Sequence, residues 1–99
     1  MDAVVRAGAA DILVLKPSPL GGARAVVAMA ERYDLPVVIS SAMESSVGLS
    51  AALAAALALA DQPYAHGLGT GTLLATDTVA TSLVPVLGRL APAPFRVTA

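Results

Sequence analysis

The chain has 99 residues, of which 57% are apolar and 13% charged, with a formal net charge of −1 at neutral pH. Soluble domains usually carry about 25% charged residues, and a small body needs many polar groups to cover its large relative surface. We therefore expect other protein surface to cover part of this chain. The basic residues form no cluster, which argues against a nucleic-acid partner. The absence of cysteine excludes disulfides and thiolate metal sites.

No stretch of the sequence is typical of a secretory signal or a membrane span. The first ten residues include Asp2 and Arg6 and lack a long apolar run. The longest uncharged apolar stretch, residues 47–60, is shorter than the roughly 18 to 20 residues that a membrane helix needs. The sequence therefore predicts a cytoplasmic protein without a membrane partner, in which residues 47–60 belong to a buried helix.

The first half of the chain repeats one plan of strand, loop and helix. An aliphatic run predicts a strand near 12–16, and its composition is typical of a parallel strand buried on both faces. Pro17 and Pro19 are expected to interrupt both strand and helix in the following loop. A helix near 23–33 completes the first unit.

A second unit and the start of a third follow the same plan. The second has a strand near 37–40 and a helix near 45–60, with Ser45 or Ser46 as its cap. A third strand is predicted near 64–66, ahead of a glycine-rich loop.

The pattern is looser in the C-terminal part of the chain. Short strands are possible within residues 79–86 and 96–98, separated by proline-rich turns. Pro85, Pro92 and Pro94 make a packed helix unfavourable there.

The spacing of the strands indicates an α/β fold. The predicted strands start near residues 12, 37 and 64, about 25 to 27 residues apart, and a (β/α)₈ barrel repeats at roughly 30 residues per unit. We therefore predict that residues 1–99 form a partial barrel domain, with about three parallel βα units and an irregular C-terminal tail. An open doubly wound sheet is the alternative. In both folds, functional groups lie at the carboxyl ends of the strands.

Lys16, the only lysine in the chain, directly follows the first predicted strand. A lysine that is partly desolvated at such a position has its ammonium form disfavoured and can transfer protons. Its aliphatic stem can equally extend past the strand end into water. Position alone leaves the catalytic and the structural interpretation open.

Polar residues and glycines follow the other two predicted strands. Ser40, Ser41 and Glu44 could hold a substrate carboxylate, although serines that cap a helix and a glutamate near its N-terminus explain the pattern better. The loop over 67–71 lets a ligand approach backbone N–H groups but matches no nucleotide motif. His66, the only histidine, has no second histidine or cysteine for a zinc site, so we interpret it as structural.

Three ordered motifs together resemble a known family. These are residues 16–22 (KPSPLGG), residues 40–49 (SSAMESSVGL) and residues 66–71 (HGLGTG), followed by Asp77. In this order and spacing they resemble the o-succinylbenzoate synthases of the enolase superfamily, in the form found in actinobacteria. The resemblance covers about residues 9–77.

The resemblance implies a carbon–oxygen lyase of menaquinone biosynthesis that forms an enediolate with the help of Mg²⁺. It identifies Lys16 with the family's second active-site lysine, at the end of the sixth barrel strand. It assigns substrate binding to the ends of the seventh and eighth strands, at residues Ser40, Ser41, Glu44, Gly67, Leu68, Gly69 and Thr70. The implied substrate is a small carboxylate.

The sequence departs from the family in what it lacks. The family's other lysine and its three metal-binding carboxylates come from earlier strands, so we expect no metal site and no bound cofactor in this chain alone. The missing strands or self-association would then be needed for a complete fold. A related N-acylamino acid racemase and a non-catalytic barrel fragment remain alternatives.

Overall fold

The structure, a computed structural model that describes residues 1–59 and 62–92, alternates two short strands with helices. The elements in chain order are α1 (Asp2–Arg6), β1 (Leu13–Leu15), α2 (Pro17–Leu20), α3 (Ala23–Arg32), β2 (Val37–Ile39), α4 (Ser46–Ala58) and a 3₁₀ helix (Thr70–Leu73).

The two strands form a parallel sheet. Leu13 pairs with Val37 and Leu15 with Ile39. The ladder continues beyond the strands, because the N–H of Ser40 donates to the Leu15 carbonyl at 3.0 Å. Parallel strands joined by a helix define an α/β fold, and the closed barrel remains a prediction.

The core lies on one face of this sheet. Leu15 and Ile39 point to the side on which α3 and α4 pack, where Val26 and Leu49 are buried against them. Val14, on the opposite face, is 60% exposed. The described residues therefore leave one face of the sheet uncovered, and burial of the strands on both faces remains a prediction for a complete barrel. Both helices cover the same side, and alternate side chains of a strand point to opposite faces.

The predicted third strand is reduced to a single bridge. Gly67 pairs in parallel with Ser40, and no strand forms at residues 64–66 in the described part of the chain. Instead, the side chains of Gln62 and His66 accept the N–H groups of Val37 and Ile39, both at 2.9 Å. Because these side chains satisfy the edge of β2, the 62–66 backbone does not need to pair with it.

The loop after β1 also differs from expectation. Pro17 and Pro19 lie in the short helix α2, which begins at Pro17. Proline is tolerated at the first helical position, where its missing N–H would have no partner in the helix. Gly21 follows α2 with a φ of 104°, a left-handed conformation that glycine adopts without strain.

Both ends of the described region differ from what the sequence pattern predicts. Helix α1 is tied to the end of α3, because Tyr33 donates to the Asp2 carboxylate and Arg32 forms an ion pair with it at 3.5 Å. Within residues 79–86 no strand forms, and an isolated antiparallel bridge joins Val86 to Arg89. The strand predicted at 96–98 lies outside the described residues.

We expect Gly71 to be sensitive to substitution, since a Cβ there would lie 2.9 Å from the Leu83 carbonyl oxygen. Overpacking of this kind costs about 1 to 3 kcal/mol, so Gly71→Ala is expected to lower the free energy of unfolding by that amount in denaturant titrations. Gly69→Ala is the matched control, because its Cβ would meet nothing closer than Pro85 Cγ at 3.9 Å. Equal losses in the two variants would contradict the packing argument.

Candidate active site

The candidate site lies along the edge of the sheet where both strands end. Lys16 follows β1, Ser40 follows β2, and Gly67 is bridged to Ser40. We refer to Lys16, residues 40–44 and residues 67–70 as the rim. Because the strands are parallel, their carboxyl ends meet at one edge, and the sequence-predicted site residues lie together there.

Lys16 is directed along the rim. Its Nζ donates a hydrogen bond to the Ser41 carbonyl oxygen at 3.3 Å. Lys16 has extended backbone and comes two residues after Val14, and Ser40 comes two residues after Val38. Both therefore belong to the face of the sheet opposite the helices. Lys16 is exposed in this chain, so the partial desolvation expected from its position is not provided by these residues.

Ser41 is engaged in a buried polar network. Only 2% of the residue is exposed, and its hydroxyl lies 2.7 Å from the Thr70 hydroxyl and 3.3 Å from the Gly67 carbonyl oxygen. The Thr70 hydroxyl also donates to the Ala42 carbonyl at 3.2 Å. The Ser41 hydroxyl thus holds the segment after β2 against the glycine loop, whereas Ser40 is half-buried.

Glu44 joins the loops that follow the two strands. Its carboxylate accepts a hydrogen bond from the Ser18 hydroxyl of α2. Its Oε2 is buried and has no partner among the described residues. The side chain lies against Gly48, where a Cβ would be 3.2 Å from Glu44 Cβ. The expected position near the N-terminus of α4 is observed, and the bond to Ser18 is an additional contact.

The glycine loop, residues 67–71, mainly stabilises the structure around the rim. The N–H of Gly67 donates to the Ile39 carbonyl at 2.8 Å, and its carbonyl accepts from Ser41 at 2.9 Å. Leu68 is buried in the core, and Gly69 is exposed. The backbone of Gly67 is therefore engaged in the sheet although the residue is exposed, whereas Gly69 is exposed and Thr70 is half-buried.

A polar cluster around Asp77 lies beside the rim, and the sequence allowed a loop or capping bond for Asp77 without indicating its partner. Asp77 accepts hydrogen bonds from the N–H and the hydroxyl of Ser46, the first residue of α4, and the N–H···O distance is 2.9 Å. The Ser46 hydroxyl accepts in turn from the Leu83 N–H at 2.7 Å. The hydrogen bonds from the Ser46 hydroxyl and then from the Ser46 N–H hold the pKa of Asp77 far below its usual range.

Asp77, and not a serine, therefore caps α4. Ser45 occupies the N-cap position without a capping side-chain bond. The sequence offered a weak signal, since Asp77 continues the family resemblance, but nothing in the spacing indicated its partner 31 residues away.

His66 is structural, as its isolation in the sequence suggested. Its Nδ1 accepts the Ile39 N–H, so the imidazole is neutral when the bond is formed. Burial lowers the pKa of His66 below its ordinary value of 6.5.

Within the described part of the chain, the acidic residues beside the rim do not form a metal site. In residues 1–59 and 62–92, no three histidine, cysteine, aspartate or glutamate side chains come together in a cluster that could hold a metal. Glu44 and Asp77, the acids nearest the rim, are engaged with Ser18 and Ser46. None of the helices in the same region has the length and apolar character needed to cross a bilayer.

Comparison with known proteins identifies the class. The model of the enolase C-terminal domain-like family matches residues 1–94. The chain therefore belongs to the enolase C-terminal domain-like family.

Within that class, the sequence is similar to o-succinylbenzoate synthases of actinobacteria. It is 57% identical to that of Mycobacterium ulcerans over 90 residues, which cover 91% of this chain and 27% of the relative. It is 55% identical to that of Thermobifida fusca over 84 residues, 85% of this chain and 26% of the relative. It is 49% identical to that of Mycobacterium leprae over 102 residues, which cover 98% of this chain and 30% of the relative. The chain spans about a quarter of the length of the curated relatives that it matches.

We expect the stability of the fold to fall in mild acid because of His66. A group whose pKa is lower in the folded state binds fewer protons there, so its contribution is complete above pH 6.5 and is lost as the pH falls through the folded pKa. Protonated Nδ1 can no longer accept from Ile39, a bond worth at most about 1 kcal/mol. Urea titrations at about pH 7.5 and about pH 5.5 measure the difference. His66→Gln keeps an acceptor that does not titrate, and an equally steep pH dependence in that variant would refute the assignment.

Proposed function

We propose that this chain forms part of the active-site rim of an o-succinylbenzoate synthase, a dehydratase of menaquinone biosynthesis that works in the cytoplasm. The observation that carries the proposal is the hydrogen bond between Lys16 Nζ and the Ser41 carbonyl at 3.3 Å. It brings the only lysine of the chain to the rim formed by the ends of both strands. The similarity to synthases over about nine-tenths of the chain supports it.

The proposed reaction removes water from 2-succinyl-6-hydroxy-2,4-cyclohexadiene-1-carboxylate. A base takes the proton from the carbon next to the carboxylate, which leaves an enediolate. The C–O bond to the ring hydroxyl then breaks, and the departing hydroxide receives a proton. The net products are one water and the aromatic o-succinylbenzoate.

Lys16 would act on the enediolate. Its ammonium group lies at the edge where both strands end, on the face of the sheet opposite the helices. There it can stabilise developing negative charge or exchange a proton with the intermediate. Both roles gain from a low dielectric. Because Lys16 is exposed here, the surrounding parts of the complete enzyme would exclude water from it.

The other rim residues divide into two groups in this proposal. Ser40, Gly69 and Thr70 are accessible enough to meet the substrate's succinyl or carboxylate groups. Ser41 and Leu68 are buried, so they would shape the pocket through the backbone. Glu44 and Gly67 would contribute by fixing the two loops, since each is already bonded across the rim.

The magnesium ion that the superfamily implies would be held elsewhere in the complete enzyme. The acids beside the rim are engaged with serines, and the described residues offer no cluster of ligands. When bound, such an ion would supply electrostatic stabilisation of the enediolate.

Uncovered apolar surface supports assembly into a larger barrel. Val14 is 60% exposed on the open face of the sheet, and Leu57 of α4 is 62% exposed. Helix α4 contains no charged residue, and a helix that is apolar on all sides is normally enclosed by protein. We propose that the remaining strands and helices of the barrel cover these surfaces, with self-association as the alternative.

The test is an assay of the complete enzyme, meaning this chain together with the rest of the length that its relatives carry. We expect dehydration of the cyclohexadiene carboxylate, followed by the absorbance of the aromatic product. An N-acylamino acid offered in parallel tests the racemase alternative by loss of optical rotation. Racemisation without dehydration would overturn the proposal, and so would inactivity towards both substrates.

Replacement of Lys16 tests its role in the complete enzyme. We expect Lys16→Ala to lower kcat about 10²- to 10⁴-fold, the usual contribution of an acid–base group. Lys16→Arg is expected to stay impaired, because guanidinium keeps its proton near neutral pH. Steady-state kinetics with a thermal-melting check measure both, and Arg24→Ala, at an exposed cation of α3, is the control.

Two outcomes would change the assignment. Near-normal turnover by Lys16→Ala would remove Lys16 from the chemistry. Full recovery by Lys16→Arg would restrict it to electrostatic stabilisation.

A further inference from the structure

The cluster around Asp77 does more than end a helix. One carboxylate oxygen accepts the N–H groups of Ser46 at 2.9 Å and of Thr78 at 2.7 Å, and the other accepts the Ser46 hydroxyl. An anion at this point also interacts favourably with the positive end of α4. The start of α4 is thereby fixed to the segment that follows the 3₁₀ helix.

Ser46 makes this connection rigid. It is fully buried, and its hydroxyl both donates to Asp77 and accepts from the Leu83 N–H at 2.7 Å. A buried polar group that loses its partner pays the cost of its desolvation. Movement of α4 relative to residues 77–83 would break several such bonds at once.

Residues 40–44 of the rim are held from two sides, by the cluster around Asp77 and by Thr70. On one side, the Thr70 hydroxyl bonds to Ser41 and to the Ala42 carbonyl, at 2.7 and 3.2 Å. On the other side, Ser46 follows the segment after one intervening residue, Ser45. The Ser41 carbonyl, held between the two points, accepts the hydrogen bond of Lys16 Nζ.

We infer that Asp77 is a positioning residue of the proposed active site, acting through Ser46 on residues 40–44 and through the Ser41 carbonyl on Lys16. The inference rests on the proposed function. Asp77 touches no reacting atom in this arrangement. Its effect is to limit where the Lys16 amine can lie, and displacements of about 1 Å can cost about 10²-fold in rate.

A double-mutant cycle in the complete enzyme tests this chain of contacts. We expect Asp77→Ala to lower kcat about 10- to 100-fold with a smaller change in KM. In the Lys16→Ala background the same substitution is expected to change kcat less than about twofold, because the group that it positions is gone. A residue with a merely structural role would lower kcat by the same factor in both backgrounds, and that result would overturn the inference.

Two further variants keep the test decisive if Asp77→Ala folds poorly. Asp77→Asn retains one oxygen for the Ser46 N–H and is expected to recover most of the lost kcat. Asp34→Asn removes an exposed carboxylate at the opposite end of the sheet and serves as the control. A loss of kcat in Asp34→Asn equal to that in Asp77→Ala, or no recovery in Asp77→Asn, would also overturn the inference.

A measurement that does not depend on activity separates this inference from the proposed function. Competitive acetylation followed by peptide mass spectrometry reports the reactivity of the Lys16 amine. We expect Asp77→Ala to raise the labelling rate of Lys16 several-fold, because the bond to the Ser41 carbonyl is weakened, and Asp34→Asn to leave it unchanged. Unchanged labelling in Asp77→Ala would refute the inference. Altered labelling in an enzyme that does not dehydrate the substrate would refute the proposed function alone.

Discussion

The parallel pairing of β1 with β2 is the constraint on which the candidate site depends. With Leu15 opposite Ile39, the residues that follow the strands come side by side at the same edge. An antiparallel pair would have placed Lys16 and Ser41 at opposite ends of the sheet. The bond from Lys16 Nζ to the Ser41 carbonyl is thus a consequence of strand direction and register. The helices on one face leave the other open at the level of Lys16.

The region after β2 obtains its order from side chains rather than from a strand. Gln62 and His66 occupy the edge of β2, and Gly67 forms a backbone bridge to Ser40, directly after β2. Thr70 and Asp77 then bind the segment that begins with Ser40. Polar side chains are directional, so they fix this irregular part of the chain more tightly than apolar packing would.

Local sequence patterns were sufficient to predict β1, β2, α3 and α4, but they also predicted a strand at residues 64–66 that does not form. The structures of β1, β2 and α4 follow from residues that are close together in the sequence, namely two aliphatic runs and one uncharged stretch. The prediction of a loop at residues 17–20 was wrong, because proline is tolerated at the first position of a helix although it breaks the interior of one. Burial on both faces of β1 depends on what lies beyond Val14, which no local pattern contains.

The candidate site was predictable in its location but not in its internal contacts. Lys16 and Ser40 follow apolar runs, so fold-level rules place them at a common edge. The bonds of Ser46 to Asp77 join residues 31 positions apart, and a serine at a helix start is more simply interpreted as a cap. Hydrogen bonds over such separations arise from the tertiary fold, and they decide which rim hydroxyls remain available to a substrate.

The contact between Glu44 and Gly48 has a consequence for natural variation. A methyl group at 48 would lie 3.2 Å from Glu44 Cβ and 3.4 Å from its carboxylate, so Glu44 would have to shift by a few tenths of an ångström to accept it. Since Glu44 also accepts from Ser18, a change at 48 would reach α2 and the loop that carries Lys16. Positions 18, 44 and 48 are therefore expected to vary as a group among related sequences, with glycine kept at 48 wherever residue 44 carries a side chain.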